Sequence, residues 1–254
     1  SSDGNTLVSD SDGSSVILWE TATGREVKRF AHRSDVWGVA YCPDGRMIAS
    51  GGLDGNIRLW DVASGNEITT LTGHAFGVWD LAFSPDGKSL ASSSLDTNVR
   101  IWDMTQLGDN AILDGHWTSV RAVAFSPDGN TVASASSAGN ILLWDIATRT
   151  QYGSLVGHSN SVWDIDFSPD GSRLVSSSED QTVIVWDIAN ETILASLSGH
   201  ASGVGSVAFN HDGTLIASGG DDGAVRIWDA ITYKQIAAIP AHQSTVWTVA
   251  FKIG

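Results

Sequence analysis

The sequence predicts an all-β fold: a six-bladed β-propeller, with four antiparallel strands to a blade. Three recurrences carry that expectation. His32, His74, His116, His158, His200 and His242 follow one another at steps of 42 residues. Trp19, Trp60, Trp102, Trp144, Trp186 and Trp228, each followed by an acidic residue, stand at one step of 41 and then four of 42. Pro-Asp-Gly begins at Pro43, Pro85, Pro127 and Pro169, and His211-Asp212-Gly213 keeps the step. Features this different share a period when the chain is built from copies of one supersecondary unit.

The stretch from Gly73 to Asp103 justifies each element in turn. Val78 to Phe83, apolar and aromatic, predicts a first strand. Ser84-Pro85-Asp86-Gly87 puts proline second and glycine fourth, the arrangement a type I turn favours. Leu90 to Ser93 is the second strand and Leu95-Asp96-Thr97 the second turn. Val99 to Trp102, rich in β-formers, is the third strand. A polar loop then leads to the fourth, seen in the preceding copy as Gly65-Asn66 before Glu67 to Leu71. No segment holds a helical period over about ten residues. Small residues crowd the strands, as in Met47-Ile48-Ala49-Ser50-Gly51-Gly52. They suit sheets stacked face to face where space narrows toward an axis. A unit this thin cannot bury both faces alone, so copies must stack; blades set round an axis leave only short edges.

The Gly-His … Trp-Asp pairing at this period resembles the WD-repeat family of β-propellers along the whole chain. The resemblance implies a scaffold or sensor that presents its top face to a protein or peptide segment, as one domain of a larger signalling protein. Ser1-Ser2-Asp3-Gly4 aligns with Ser84-Pro85-Asp86-Gly87 at an offset of 83. The chain therefore starts just after the first strand of a copy, and it ends on that missing strand, Val246 to Gly254. The expectation is one domain over residues 1–254. One blade is completed by 1–31 plus 242–254, like the family's closing strap, and five further blades lie within 32–241. The family more often has seven blades, so a fragment of a longer array, or two chains sharing a ring, is the alternative.

A polar set recurs inside the repeat: His32, Ser50, Asp54 and Trp60; His74, Ser92, Asp96 and Trp102; His158, Ser176, Asp180 and Trp186; His200, Ser218, Asp222 and Trp228. Ser, His and Asp together suggest a nucleophilic triad. Six copies of one catalytic site are implausible, however, and no Gly-x-Ser-x-Gly elbow exists. The resemblance implies instead a structural hydrogen-bonded chain within each blade. Indole N–H only donates, and imidazole both donates and accepts, so it can link Ser to Asp. An unpaired member costs about 1–3 kcal/mol. The copy with His116, Ser134 and Trp144 has Ala138 where Asp belongs. The strapped blade, with His242, Ser9 and Trp19, has Gly13 there and Asp12 displaced by one. Ala31 and Ala241 replace the glycine before His. The blades of His116 and His242 are expected to be the weakest.

Function is sought where copies differ without a structural reason. Five residues after the His stand Trp37, Trp79, Arg121, Trp163, Gly205 and Trp247; three after it stand Asp35, Gly77, Ser119, Ser161, Gly203 and Thr245. The residue before the tetrad Asp is Leu53, Leu95, Glu179 or Asp221, with Ser137 in the Ala138 copy. The resemblance implies that these positions border the top of the channel. Tryptophans there either pack between blades or form a partly exposed rim. On the second reading the partner-binding residues are Trp37, Trp79, Arg121, Trp163, Trp247, Leu53, Leu95 and Asp35, because Trp and Arg dominate binding hot spots. Ring closure would set Trp247, Trp37 and Trp79 on three neighbouring blades. Arg121 would be a cation on an acidic body, able to grip a carboxylate.

Lys and Arg total 14 against 29 Asp and Glu, a formal charge of −15. That argues against nucleic-acid backbones and anionic membranes. Beside plain solubility, it favours a basic partner. Cys42 is the sole cysteine, so no intrachain disulfide or thiolate zinc site can form; it reads as a small buried apolar side chain. Asp10-Ser11-Asp12-Gly13 starts like a calcium loop, but its glycine comes early and no Glu closes it, which leaves a hairpin turn. No apolar run reaches the length of a membrane span. The expectation is a monomeric, cytoplasmic ring with no catalytic residues, metal or cofactor, binding a protein or peptide. Two other classes stand beside it: a structural or oligomerisation module, and an enzyme with a non-repeating catalytic cluster at a channel mouth.

Overall fold

β-branched and aromatic residues alternate here with turns of Pro, Asp and Gly, so the chain folds as short strands that reverse at each turn. A computed structural model describes residues 1, 3–11, 14–107 and 110–251. Among them are 23 strands in six antiparallel sheets. The first sheet holds β1 (Thr6–Ser11), β2 (Ser15–Glu20) and β3 (Arg25–Ala31). The second holds β4 (Val36–Tyr41), β5 (Met47–Gly52), β6 (Ile57–Asp61) and β7 (Glu67–Leu71). The third holds β8 (Val78–Phe83), β9 (Ser89–Ser94), β10 (Val99–Asp103) and β11 (Asn110–Leu113). The fourth holds β12 (Val120–Phe125), β13 (Thr131–Ser136), β14 (Asn140–Asp145) and β15 (Thr150–Val156). The fifth holds β16 (Val162–Phe167), β17 (Arg173–Ser178), β18 (Thr182–Asp187) and β19 (Thr192–Ser198). The sixth holds β20 (Val204–Phe209), β21 (Leu215–Gly220), β22 (Ala224–Asp229) and β23 (Gln235–Pro240). The fold is an all-β, six-bladed β-propeller, and its blades are these meanders.

The turn between the first two strands shows why the repeat keeps its spelling. The Gly87 N–H donates to the Ser84 carbonyl at 2.8 Å, with Gly87 at φ +69°, a conformation that costs glycine nothing. The Ser84 hydroxyl donates to Asp86 at 2.8 Å and accepts the Ser89 N–H at 2.9 Å.

The chain divides into two compact units, Ser1–Val123 and Ala124 onward. In the first, β1 packs on β4 and β4 on β8. Ala49, Ile57, Leu59, Val78, Leu81, Leu90 and Trp102 form one buried cluster that spans two sheets. In the second, β13 packs on β16 and β16 on β20, and Val175, Val183, Val204, Val207, Phe209 and Trp228 do the same work. Burying each aliphatic side chain is worth about 1.5–3 kcal/mol, so within each unit the sheets are held by their neighbours.

The chain after β23 follows the pattern of an inner strand without forming a ladder. The Val249 N–H donates to the Ser206 hydroxyl at 3.1 Å. One copy earlier the Val207 N–H donates to Asp164 at 3.0 Å, and in the first unit Val123 donates to Asp80 at 3.0 Å. The tail therefore lies along β20 as β20 lies along β16. Residues 252–254, with Asp12 and Gly13, lie outside the described residues; parts of the expected strap, its polar set and the Asp10–Gly13 turn fall on them. Among the described residues no helix is long and apolar enough to cross a membrane.

Candidate interaction face

The polar sets sit where second and third strands pair, beneath the loops that open each blade. In the third sheet the Trp102 indole N–H donates to Ser92 Oγ at 2.9 Å, Ser92 Oγ lies 2.7 Å from His74 Nε2, and His74 Nδ1 lies 2.8 Å from Asp96. The Ala75 N–H donates to the same carboxylate at 3.0 Å. The valences fix one direction: indole to hydroxyl, hydroxyl to Nε2, Nδ1–H to carboxylate. Burial pulls His74 below the usual imidazole range, against the opposing pull of Asp96; the ring is neutral. Burial pushes Asp96 up, but the Ala75 N–H and His74 outweigh it, and the net shift is downward. His158, Ser176, Asp180 and Trp186 repeat these contacts at 2.7–2.9 Å. His200, Ser218, Asp222 and Trp228 do so at 2.8–3.0 Å.

The second sheet is wired differently. Trp60 donates to Ser50 at 2.8 Å, but Arg58 enters between His32 and Asp54. Its Nη1 donates to His32 Nε2 at 2.9 Å and its Nη2 to Asp54 at 2.8 Å. His32 Nδ1 turns to the Ser34 carbonyl at 3.1 Å. Asp54 falls to about 2 because Arg58 and the Asn56 N–H outweigh its burial. Arg226 likewise donates to Asp222 at 2.9 Å. Spacing alone missed both arginines, although each stands two residues before its Trp. Trp144 donates to Ser134 at 2.7 Å and Trp19 to Ser9 at 2.9 Å; His116, in the same blade as Ala138, is buried and His242 is exposed.

The first unit brings three of the singled-out residues together. The Trp37 and Trp79 rings stack at 4.5 Å and 22°, and the Arg121 guanidinium lies 4.4 Å over the Trp79 ring. All three are half-buried. Gly77 makes the stack possible, since a Cβ there would meet the Trp37 ring at 2.4 Å. Asp35 and Leu53, both exposed, are joined by the Leu53 N–H to Asp35 carbonyl bond at 3.0 Å. Leu95 donates to the Gly77 carbonyl at 3.0 Å in the same way. Phe76 and Trp117, 63% and 76% exposed, share these loops. They stand two and one residues after a repeat His, outside the third and fifth positions where the copies were compared.

In the second unit Trp163 is pinned by its indole N–H to Glu179 at 2.9 Å. Glu179 and Asp221 flank Gly203, whose ideal Cβ position lies 3.3 and 3.1 Å from their carboxylate oxygens. Trp247 is 72% exposed. Among the described residues no group of three or more His, Cys, Asp or Glu is arranged to hold a metal.

The family model "WD domain, G-beta repeat" matches residues 24–61, 65–103, 109–145, 149–187 and 191–229, most of the chain. The chain is a WD-repeat protein. WD-repeat propellers generally act as protein-interaction scaffolds and are typically non-catalytic. The chain is 37% identical over 70 residues to the Notchless protein homolog of Arabidopsis thaliana, covering 27% of this chain and 15% of that protein. It is 41% identical over 68 residues to Periodic tryptophan protein 2 of the same plant, 26% of this chain and 8% of that one. It is 36% identical over 75 residues to the plant's guanine nucleotide-binding protein subunit beta, 29% and 20% of the two chains. The matches thus span a fifth or less of these relatives' lengths.

Proposed function

We propose that this WD-repeat chain is a non-catalytic cytoplasmic binding module whose rim captures a basic protein or peptide segment. Trp37, Trp79, Arg121, Leu53, Leu95 and Asp35 supply the contacts on the first unit, and Trp163 and Trp247 those on the second. The observation that carries the reading is the Trp37–Trp79–Arg121 stack. Planar, rigid side chains present large contact area at low conformational cost. Exposed Phe76, Trp117 and Leu53 widen the apolar area around it. The −15 charge steers a cationic partner inward. Hydrogen-exchange footprinting of a captured peptide tests the site: protection is expected at Val36–Tyr41 and Val78–Phe83. Protection confined to the Pro-Asp-Gly turns would contradict it.

A further inference from the structure

Asp164 and Asp166 stand two apart on β16, so both carboxylates leave one face of the strand, toward β20. Asp164 accepts the Ser206 hydroxyl at 2.8 Å, the Val207 N–H at 3.0 Å and the Ile165 N–H at 2.9 Å. Asp166 accepts the Phe209 N–H at 2.7 Å. The surroundings are the apolar cluster of Val175, Val204, Val207 and Phe209. The other copies place Ala40, Ala82, Ala124, Ala208 and Ala250 where Asp166 stands. A second carboxylate at this junction is thus peculiar to one blade, and packing does not require it.

We propose that the junction of β16 with β20 is a proton-gated latch: with a proton on the Asp164–Asp166 pair the two sheets stay docked, and loss of that proton loosens them. Burial, with the charge of Asp164 adding to it, pushes Asp166 up to about 7, against the Phe209 N–H. Burial also pushes Asp164 up, against Val207 and Ser206. Of the elements packed on β16, β13 and β20 carry no ionisable residue. β17 carries Arg173, whose guanidinium lies 5.3 Å from the Phe209 ring and is turned to the carbonyls of Ala230 and Gly213.

Between about pH 4 and about 7 the packed pair holds a proton that the unfolded chain has released. The folding constant then falls with rising pH, by up to about tenfold per unit, and levels off above that window. The test is urea unfolding of wild type and Asp166→Asn from pH 4.5 to 8.5, with amide protection factors corrected for intrinsic exchange. The ratio of wild-type to variant folding constants is expected to fall about a hundredfold from pH 4.5 to 7 and then stay flat. Protection at Phe209 is expected to fall with it, while protection at Val123 does not. Asp166→Ala, the residue of the other copies, should behave as Asp166→Asn. A ratio constant with pH, a ratio that changes without Phe209, or failure of both variants to fold overturns the latch.

Discussion

The indole of Trp37 lies on the indole of Trp79, ring centroids 4.5 Å apart and planes 22° from parallel. The Arg121 guanidinium also lies over the Trp79 ring, so Trp79 makes both contacts. An aromatic pair is worth about 0.5–1.5 kcal/mol, and an exposed cation–π contact about 0.5–1 kcal/mol. Trp79→Ala, which removes both, is expected to cost about 1–3 kcal/mol of stability and to remain folded. Trp37→Ala, which removes one, costs less. Urea unfolding of the two variants checks the order; loss of folding in both would make the stack internal packing.

His74 joins Ser92 to Asp96, whereas the blade of His116 has Ala138 in the acidic position. His74→Ala strands two buried polar partners and is expected to cost about 1–3 kcal/mol. His116→Ala is expected to cost about 1 kcal/mol less, since it strands one fewer. Equal urea midpoints for the two variants would end the network account. In the converse experiment, Ala138→Asp is expected to raise the midpoint.

Acid should weaken the tetrads in two stages. Burial lowers His74, His158 and His200. A lowered imidazole contributes stability above its unfolded value of 6.5 that is lost as pH falls toward its folded value. Asp54, Asp96 and Asp180 are also lowered, so their contribution is present above 3.8 and lost as pH falls further. Asp164 and Asp166 act in the opposite sense, so the tetrads are read by difference. The urea-midpoint gap between wild type and Asp96→Asn is expected to hold above about pH 4 and to close as pH falls further.

Cys42 is buried, and burial pushes its thiol up to about 11. Thiolate is the reactive form, so the native protein is expected to resist a thiol reagent at pH 8 while the urea-unfolded chain reacts at once. Fast labelling of the native chain would place Cys42 near the surface.

The blades were legible in the sequence because a sheet this thin repeats its turns and its Trp at fixed steps. Val78–Phe83 and Glu67–Leu71 fall on strands with those same bounds, while Leu90 to Ser93 grew by one residue at each end. Pairing extends until a turn stops it, and side-chain pattern does not mark that point. The rewiring of His32 by Arg58 was not legible, because spacing gives positions along a strand and not the reach of a long side chain across it. The stack of Trp37 on Trp79 depends on two blades meeting over Gly77, a contact between residues about forty positions apart. The half-buried pair on β16 is written openly as Asp164 and Asp166 but looks like an ordinary alternating strand until β20 packs against it.

The central claim is that the stacked rim captures a partner. Capture on the immobilised chain, intact and with Trp37→Ala and Trp79→Ala combined, tests it most directly, with circular dichroism to verify the sheets. The account predicts a specific bound segment on the intact chain and its loss on the double variant with its β-signal unchanged. Equal capture by both folded proteins would contradict it.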